Sequence, residues 1–175
     1  MEEGWLQAWL RRQVRDAPAG RVFAIALALA PACFVVENLC EWLADVTLSA
    51  VGWAGRLEAI KGEGMASAGH GWGLVSPLLL APVLENGLCL FWLRTVFPVE
   101  RWGGWKGPLC TAAIAAGFHM LGYLEPRYIA VLPGFFAMCW LMANVHRRPL
   151  GYWASVLLHA AGNLLVWLGW TFGIG

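Results

Sequence analysis

Residues 72–97 read WGLVSPLLLAPVLENGLCLFWLRTVF, an apolar run interrupted by a single acid, Glu85, and closed by Pro98. A helix needs about 20 largely apolar residues to cross a bilayer, and this stretch supplies them. The pattern recurs. Val22 to about Cys40, Pro108 to Leu124, Tyr128 to Val145 and about Pro149 to Phe172 are apolar at comparable length, Pro108–Leu124 being the shortest. The expected fold is therefore all-α, a polytopic transmembrane helical bundle of about five spans forming one membrane domain. Composition agrees. Of the 175 residues, 59% are apolar and 13% charged, about half the charged share of a soluble domain. One soluble core has no room for so much apolar surface. Disorder is excluded by the low charge and the aromatic content. Twelve Lys+Arg against eleven Asp+Glu leave a net charge of +1, which speaks against nucleic acid as a partner.

Outward from this segment the chain divides in three. Residues 1–21 carry charge of both signs and no apolar core, so they are expected to be an amphipathic arm rather than a signal peptide. Trp5, Leu6, Trp9 and Leu10 recur at helical spacing, which predicts a short helix on the membrane surface. Residues 22–71 hold the first span and a wetter connection, Glu41–Gly71, with Asp45, Arg56, Glu58, Lys61 and Glu63. Trp42, Trp53 and Trp72 predict that this connection rests at the interface. Residues 72–175 hold the remaining four spans. Arg11, Arg12, Arg15, Arg21, Arg94, Arg101, Lys106, Arg147 and Arg148 fall on one side of a five-span arrangement, and Arg56, Lys61 and Arg127 on the other. This asymmetry predicts a cytoplasmic N-terminus and an external C-terminus. Cys33, Cys40, Cys89, Cys110 and Cys139 lie in or beside apolar segments without a CxxC, and are expected to pack as small hydrophobes. Glu37 and Glu41 are expected to close the first span at the interface.

An ionisable group deep in a span is costly, so each is a functional hypothesis. Glu85 lies in the second span with Asn86 beside it, His119 in the third, and His159 and Asn163 in the fifth. His159 and Asn163 are four apart, hence on one helix face. Small residues surround them (Ala160, Ala161, Gly162, and Ala112, Ala113, Ala115, Ala116, Gly117 near His119), which favours close helix approach. Pro77 and Pro82 are expected to kink the second span and free backbone carbonyls near the site. A buried carboxylate that takes a proton from water, a histidine that holds the same water, and a second histidine and a carboxamide that donate to an oxyanion suit hydrolysis. Each residue also has a plainer reading. Glu85 is then a protonated acid bonded to backbone, the histidines bond between helices, Asn163 holds helices together, and Asn86 packs or orients Glu85. No Ser or Cys has an evident base partner, HExxH is absent, and GHGWG lacks the strand–helix context of a phosphate loop.

These residues resemble the three motifs of the CPBP family of glutamic-type intramembrane proteases, which includes the CAAX-processing and bacteriocin-processing enzymes: EExxxR, FxxxH and HxxxN on successive helices. His159 and Asn163 match the third. His119 matches the second, with Ala115 in place of the Phe and Phe118 beside the His. The first is the weakest match: APVLEN supplies Glu85, while Asn86 replaces the second Glu and Leu90 the Arg. The family's second Glu and Arg are opposite charges, and losing both leaves no orphan charge in the membrane. The resemblance covers residues 72–175, a CPBP-like four-helix catalytic core, and leaves the first span as an addition. It implies an endopeptidase in which Glu85 with His119 activates water and His159 with Asn163 supports the oxyanion. It calls for no cofactor and no metal. The implied partners are a membrane-anchored protein or peptide substrate and the lipid bilayer. A sorting-type protease acting on C-terminal anchors of exported proteins is one subtype. A catalytically silent scaffold or substrate-binding protein and a metal- or haem-binding bundle using Glu85, His119 and His159 are the rival readings.

Overall fold

The computed structural model describes residues 5–52 and 75–172. Among these the chain is helical and has no strand. The α-helices are α1 Trp5–Val14, α2 Ala19–Ala50, α3 Ala81–Thr95, α4 Val99–Tyr123, α5 Leu132–Asn144 and α6 Arg148–Thr171. A π turn, Ser76–Leu80, leads into α3, and a 3-10 turn, Pro126–Val131, leads into α5. Three stretches, Ala19–Ala50, Ser76–Thr95 and Pro126–Asn144, are long and apolar enough to cross a membrane. The chain is thus an all-helical protein suited to a membrane.

Helix α2 departs from the sequence expectation. It runs past Cys40 to Ala50 and is 32 residues long. Leu43, Ala44, Val46 and Leu48 continue the helix, and no breaker appears before Gly52, which adopts φ +80° just beyond the helix end. Glu37 and Glu41 therefore do not close the span. The half-buried Glu37 carboxylate accepts a hydrogen bond from the backbone N–H of Gly134, in the first turn of α5. A helix N-terminus favours negative charge. Gly134 is required there, since a Cβ at that position would collide with the Glu37 carboxylate. The interfacial reading of Trp53, Arg56, Glu58, Lys61, Glu63 and Trp72 lies outside the described residues.

The core crosses the boundary at residue 72. Val22, Ala26 and Ala30 of α2 belong to one buried cluster with Cys89, Ala112, Phe135, Met138, Leu141 and Ala154. Helix α2 packs against α5, α6 and the 3-10 turn, so the first long helix shares the core of the later ones. Alanines close the contacts: Ala26, Ala112, Ala116 and Ala154 are 0% exposed. Gly117 and Gly162 do not serve this purpose, because a Cβ at either meets nothing within 4 Å. Cys89 and Cys139 are buried as free thiols, as expected of small hydrophobes.

Helix α1 forms as expected but does not stand apart as an arm. Val14 is buried in the core, and Arg11 Nε donates to Asn144 Oδ1 at 2.8 Å. The apolar face expected of Trp5, Leu6 and Leu10 lies outside the described side chains. At the far end of α2, Arg127 is 6% exposed and donates to Glu125 at 2.8 Å and to Asp45 at 3.1 Å. This counted cation is an internal ion pair between the 3-10 turn and α2.

Candidate active site

Two prolines shape the entry to α3. Pro82 has no N–H, and its ring crowds the carbonyl four residues back, so the regular helical ladder cannot pass through it. The chain responds with the π turn Ser76–Leu80, in which Ala81 N–H donates to the Ser76 carbonyl. Ala81 was the α-helical partner of the Pro77 carbonyl, and Pro82 was its π-helical partner. Pro77 is left without a backbone donor, and Asn163 Nδ2 of α6 supplies one at 2.6 Å. The freed carbonyl anticipated from the two prolines is present, and Asn163 is its partner.

One turn into α3, Glu85 points Oε2 at two imidazoles. His119 Nε2 of α4 lies 3.6 Å away and His159 Nε2 of α6 lies 3.8 Å away. Both gaps are longer than a direct hydrogen bond, and buried Oε2 has no hydrogen-bond partner. The three groups sit in a graded setting, their side chains being 33%, 22% and 10% exposed for Glu85, His119 and His159.

Local bonds fix which nitrogen of each ring carries hydrogen. His119 Nδ1 faces the Ala115 carbonyl at 3.0 Å. A carbonyl only accepts, so Nδ1 is the donor and Nε2 presents a lone pair in the neutral ring. His159 is fixed through a longer chain. Ser155 spends its hydroxyl hydrogen on the Tyr152 carbonyl at 2.7 Å, so its oxygen accepts from Asn86 Nδ2 at 3.3 Å. That orients the Asn86 amide with Oδ1 toward His159 Nδ1 at 3.4 Å. His159 Nδ1 is then the donor, and Nε2 again presents a lone pair to Glu85. Both neutral rings aim acceptors at the carboxylate.

The structure therefore brings Glu85, His119 and His159 together and places Asn86, 0% exposed, behind His159. Asn86 orients His159, not Glu85. Asn163 is engaged with the Pro77 carbonyl, which is its plainer reading as a tie between helices. Three participants had no sequence signal as site residues. Ser155 and Tyr152 complete the Asn86 relay, and Phe135 of α5 packs against both imidazoles, with centroids at 5.1 Å from His119 and 5.7 Å from His159. Tyr123 and Tyr128 extend that wall on the His119 side.

Among the described residues no group of three His, Cys, Asp or Glu side chains is placed to hold a metal ion. No family model, curated protein or solved structure matches the chain.

Proposed function

We propose that this chain is a glutamic-type intramembrane endopeptidase of CPBP-like design, cleaving a peptide bond of a membrane-anchored protein or peptide. The observation that carries the reading is the convergence of Glu85 Oε2 on the Nε2 atoms of His119 and His159. Gaps of 3.6 and 3.8 Å are too long for direct hydrogen bonds and too short for a water in line between the atoms, so the reacting water stands beside the cluster and donates its two hydrogens to Glu85 and His119. In this reading α4 and α6, of 25 and 24 residues, cross the bilayer with the other three, the N-terminus is cytoplasmic, and the membrane is the cytoplasmic membrane of a prokaryote.

The reaction follows from the hydrogen inventory. Water, held by Glu85 and His119, gives a proton to the Glu85 carboxylate as its oxygen bonds to the scissile carbonyl carbon. Glu85 passes that proton to His159 Nε2, which turns an acceptor into a donor. His159 thus supports the oxyanion only after protonation. Asn163 spends one amide hydrogen on Pro77 and has a second for the oxyanion. As the C–N bond breaks, the proton leaves His159 for the departing amine. Asn86 acts through His159 as a positioning residue. Anchor removal from exported proteins is the subtype proposed here.

The test compares the membrane proteome of cells carrying the wild-type protein with cells carrying Glu85→Gln. Uncleaved, membrane-anchored precursors are expected to accumulate in the variant cells. Identical proteomes, together with identical cleavage by purified Glu85→Ala, would remove the assignment.

A further inference from the structure

We propose that the end of the bundle opposite the Glu85 site binds a phosphate group, carried by an anionic lipid of the surrounding membrane. The ends of α1, α3 and α5 and the starts of α4 and α6 enclose a cavity of about 490 Å³ there, lined by Arg15, Arg94, Arg148 and His146 with one acid, Glu100. The three arginines come from segments far apart in the chain and take part in none of the ion pairs among the described residues. With Arg11, which also lines the cavity and is held by Asn144, four arginines stand against one carboxylate, and the resulting positive cavity attracts an anion. They are arginines rather than lysines, and a guanidinium pairs two N–H groups with two phosphate oxygens.

Arg15, Arg94, Arg148 and Glu100 are exposed at the mouth of the cavity, and hydrogen bonds fix the helix ends behind them. Asn144 receives Arg11 Nε at 2.8 Å and donates to the Gly104 carbonyl at 2.9 Å. The backbone N–H of His146 donates to the Arg15 carbonyl at 2.9 Å. These bonds pin α1 across the ends of α4 and α5. Leu93, Met142 and Val145 form a buried floor, each no more than 5% exposed. Exposed arginines at the end of membrane-length helices stand at the level of lipid headgroups, which favours a lipid phosphate over a free ion. Arg94 lies ~14 Å along α3 from Glu85 at 1.5 Å per residue, so the site stands independently of the proteolytic reading.

The test is native mass spectrometry of the delipidated full chain in detergent, titrated separately with phosphatidylglycerol, phosphatidylcholine and inorganic phosphate. One phosphatidylglycerol per chain is expected, held at least roughly tenfold more tightly than phosphatidylcholine. Arg94→Ala with Arg148→Ala is expected to weaken it by roughly tenfold or more, in line with the loss of charge-assisted hydrogen bonds. Arg94→Lys with Arg148→Lys retains charge and guards against misfolding, and is expected to weaken it by a smaller factor. Arg12→Ala with Arg147→Ala, two exposed arginines of the same end that do not line the cavity, is expected to leave binding unchanged. Equal losses in the cavity and control pairs would reduce the effect to net charge and overturn the site. Tight inorganic phosphate with no lipid preference would overturn the lipid as its source.

Discussion

Asn86 Oδ1 stands 3.4 Å from Nδ1 of His159, and the Asn86 side chain is wholly buried between α3 and α6. The amide is the middle of a directed chain that starts at the Tyr152 carbonyl and ends at a bare Nε2 facing Glu85. Replacing it with Leu leaves the Ser155 oxygen and His159 Nδ1 without their partner. An unsatisfied buried polar group costs about 1–3 kcal/mol, so Asn86→Leu is expected to lower the unfolding free energy in detergent by that order. It also releases the tautomer. Nitrogen NMR of labelled His159 is expected to show Nδ1–H in the wild type and a mixture in Asn86→Leu. A single unchanged tautomer in the variant would show that Asn86 does not set it.

Glu85→Gln separates chemistry from structure. The carboxylate is the proton acceptor of the proposed reaction, and general-base groups contribute roughly 10²–10⁴-fold. Turnover is expected to fall by that factor. Stability is expected to hold or rise, because a glutamine amide donates to a histidine lone pair where Glu85 Oε2 now has no partner. A paired measurement of cleavage rate and thermal unfolding on the same preparation checks both halves. A variant that melts much earlier than the wild type would make Glu85 a structural group first.

Helical class, the placement of most long helices and the grouping of Glu85 with two histidines were legible in the sequence, since apolar run length and mid-span ionisable groups are direct consequences of a bilayer solvent. The extension of α2 was not, because Glu37 and Glu41 read as the edge of the membrane. Glu37 is in fact paired with the start of α5, a contact no periodicity encodes. The role of Asn163 was half legible: the prolines announced a free carbonyl, but which side chain reaches it depends on how α6 lies against α3. Phe135 and Ser155 were invisible as site residues because each is an ordinary core residue until its neighbour is known.

The pairing of Asn163 with the Pro77 carbonyl makes a quantitative claim about two residues that do not share a helix. Asn163→Ala strips that carbonyl of its donor and is expected to cost about 1–3 kcal/mol. Pro82→Ala restores a backbone N–H within reach of the same turn. In that background the Asn163→Ala cost is expected to shrink by about 1 kcal/mol, a coupling readable from a double-mutant cycle. The same device recurs in α4, where Pro108 lacks the N–H that the Gly104 carbonyl needs and Asn144 Nδ2 supplies one at 2.9 Å. Additive effects at Asn163 and Pro82 would mean that the π turn forms for another reason.

Arg127 tests the joint between α2 and the 3-10 turn. Its guanidinium joins Glu125 at 2.8 Å and Asp45 at 3.1 Å, and both Glu125 and Arg127 are 6% exposed. Breaking a buried pair from one side leaves an uncompensated charge, at a cost of about 3–5 kcal/mol. Arg127→Leu is therefore expected to be strongly destabilising, since it removes the guanidinium that neutralises the buried Glu125 carboxylate. Arg127→Leu combined with Glu125→Leu removes both buried charges and leaves only Asp45, the most exposed member at 42%. The double variant is expected to recover much of the loss, although it is further from the native sequence. Thermal unfolding of the two variants side by side decides the matter. If the double variant is as unstable as the single one, the arginine holds α2 to the 3-10 turn through packing of its stem rather than through its charge.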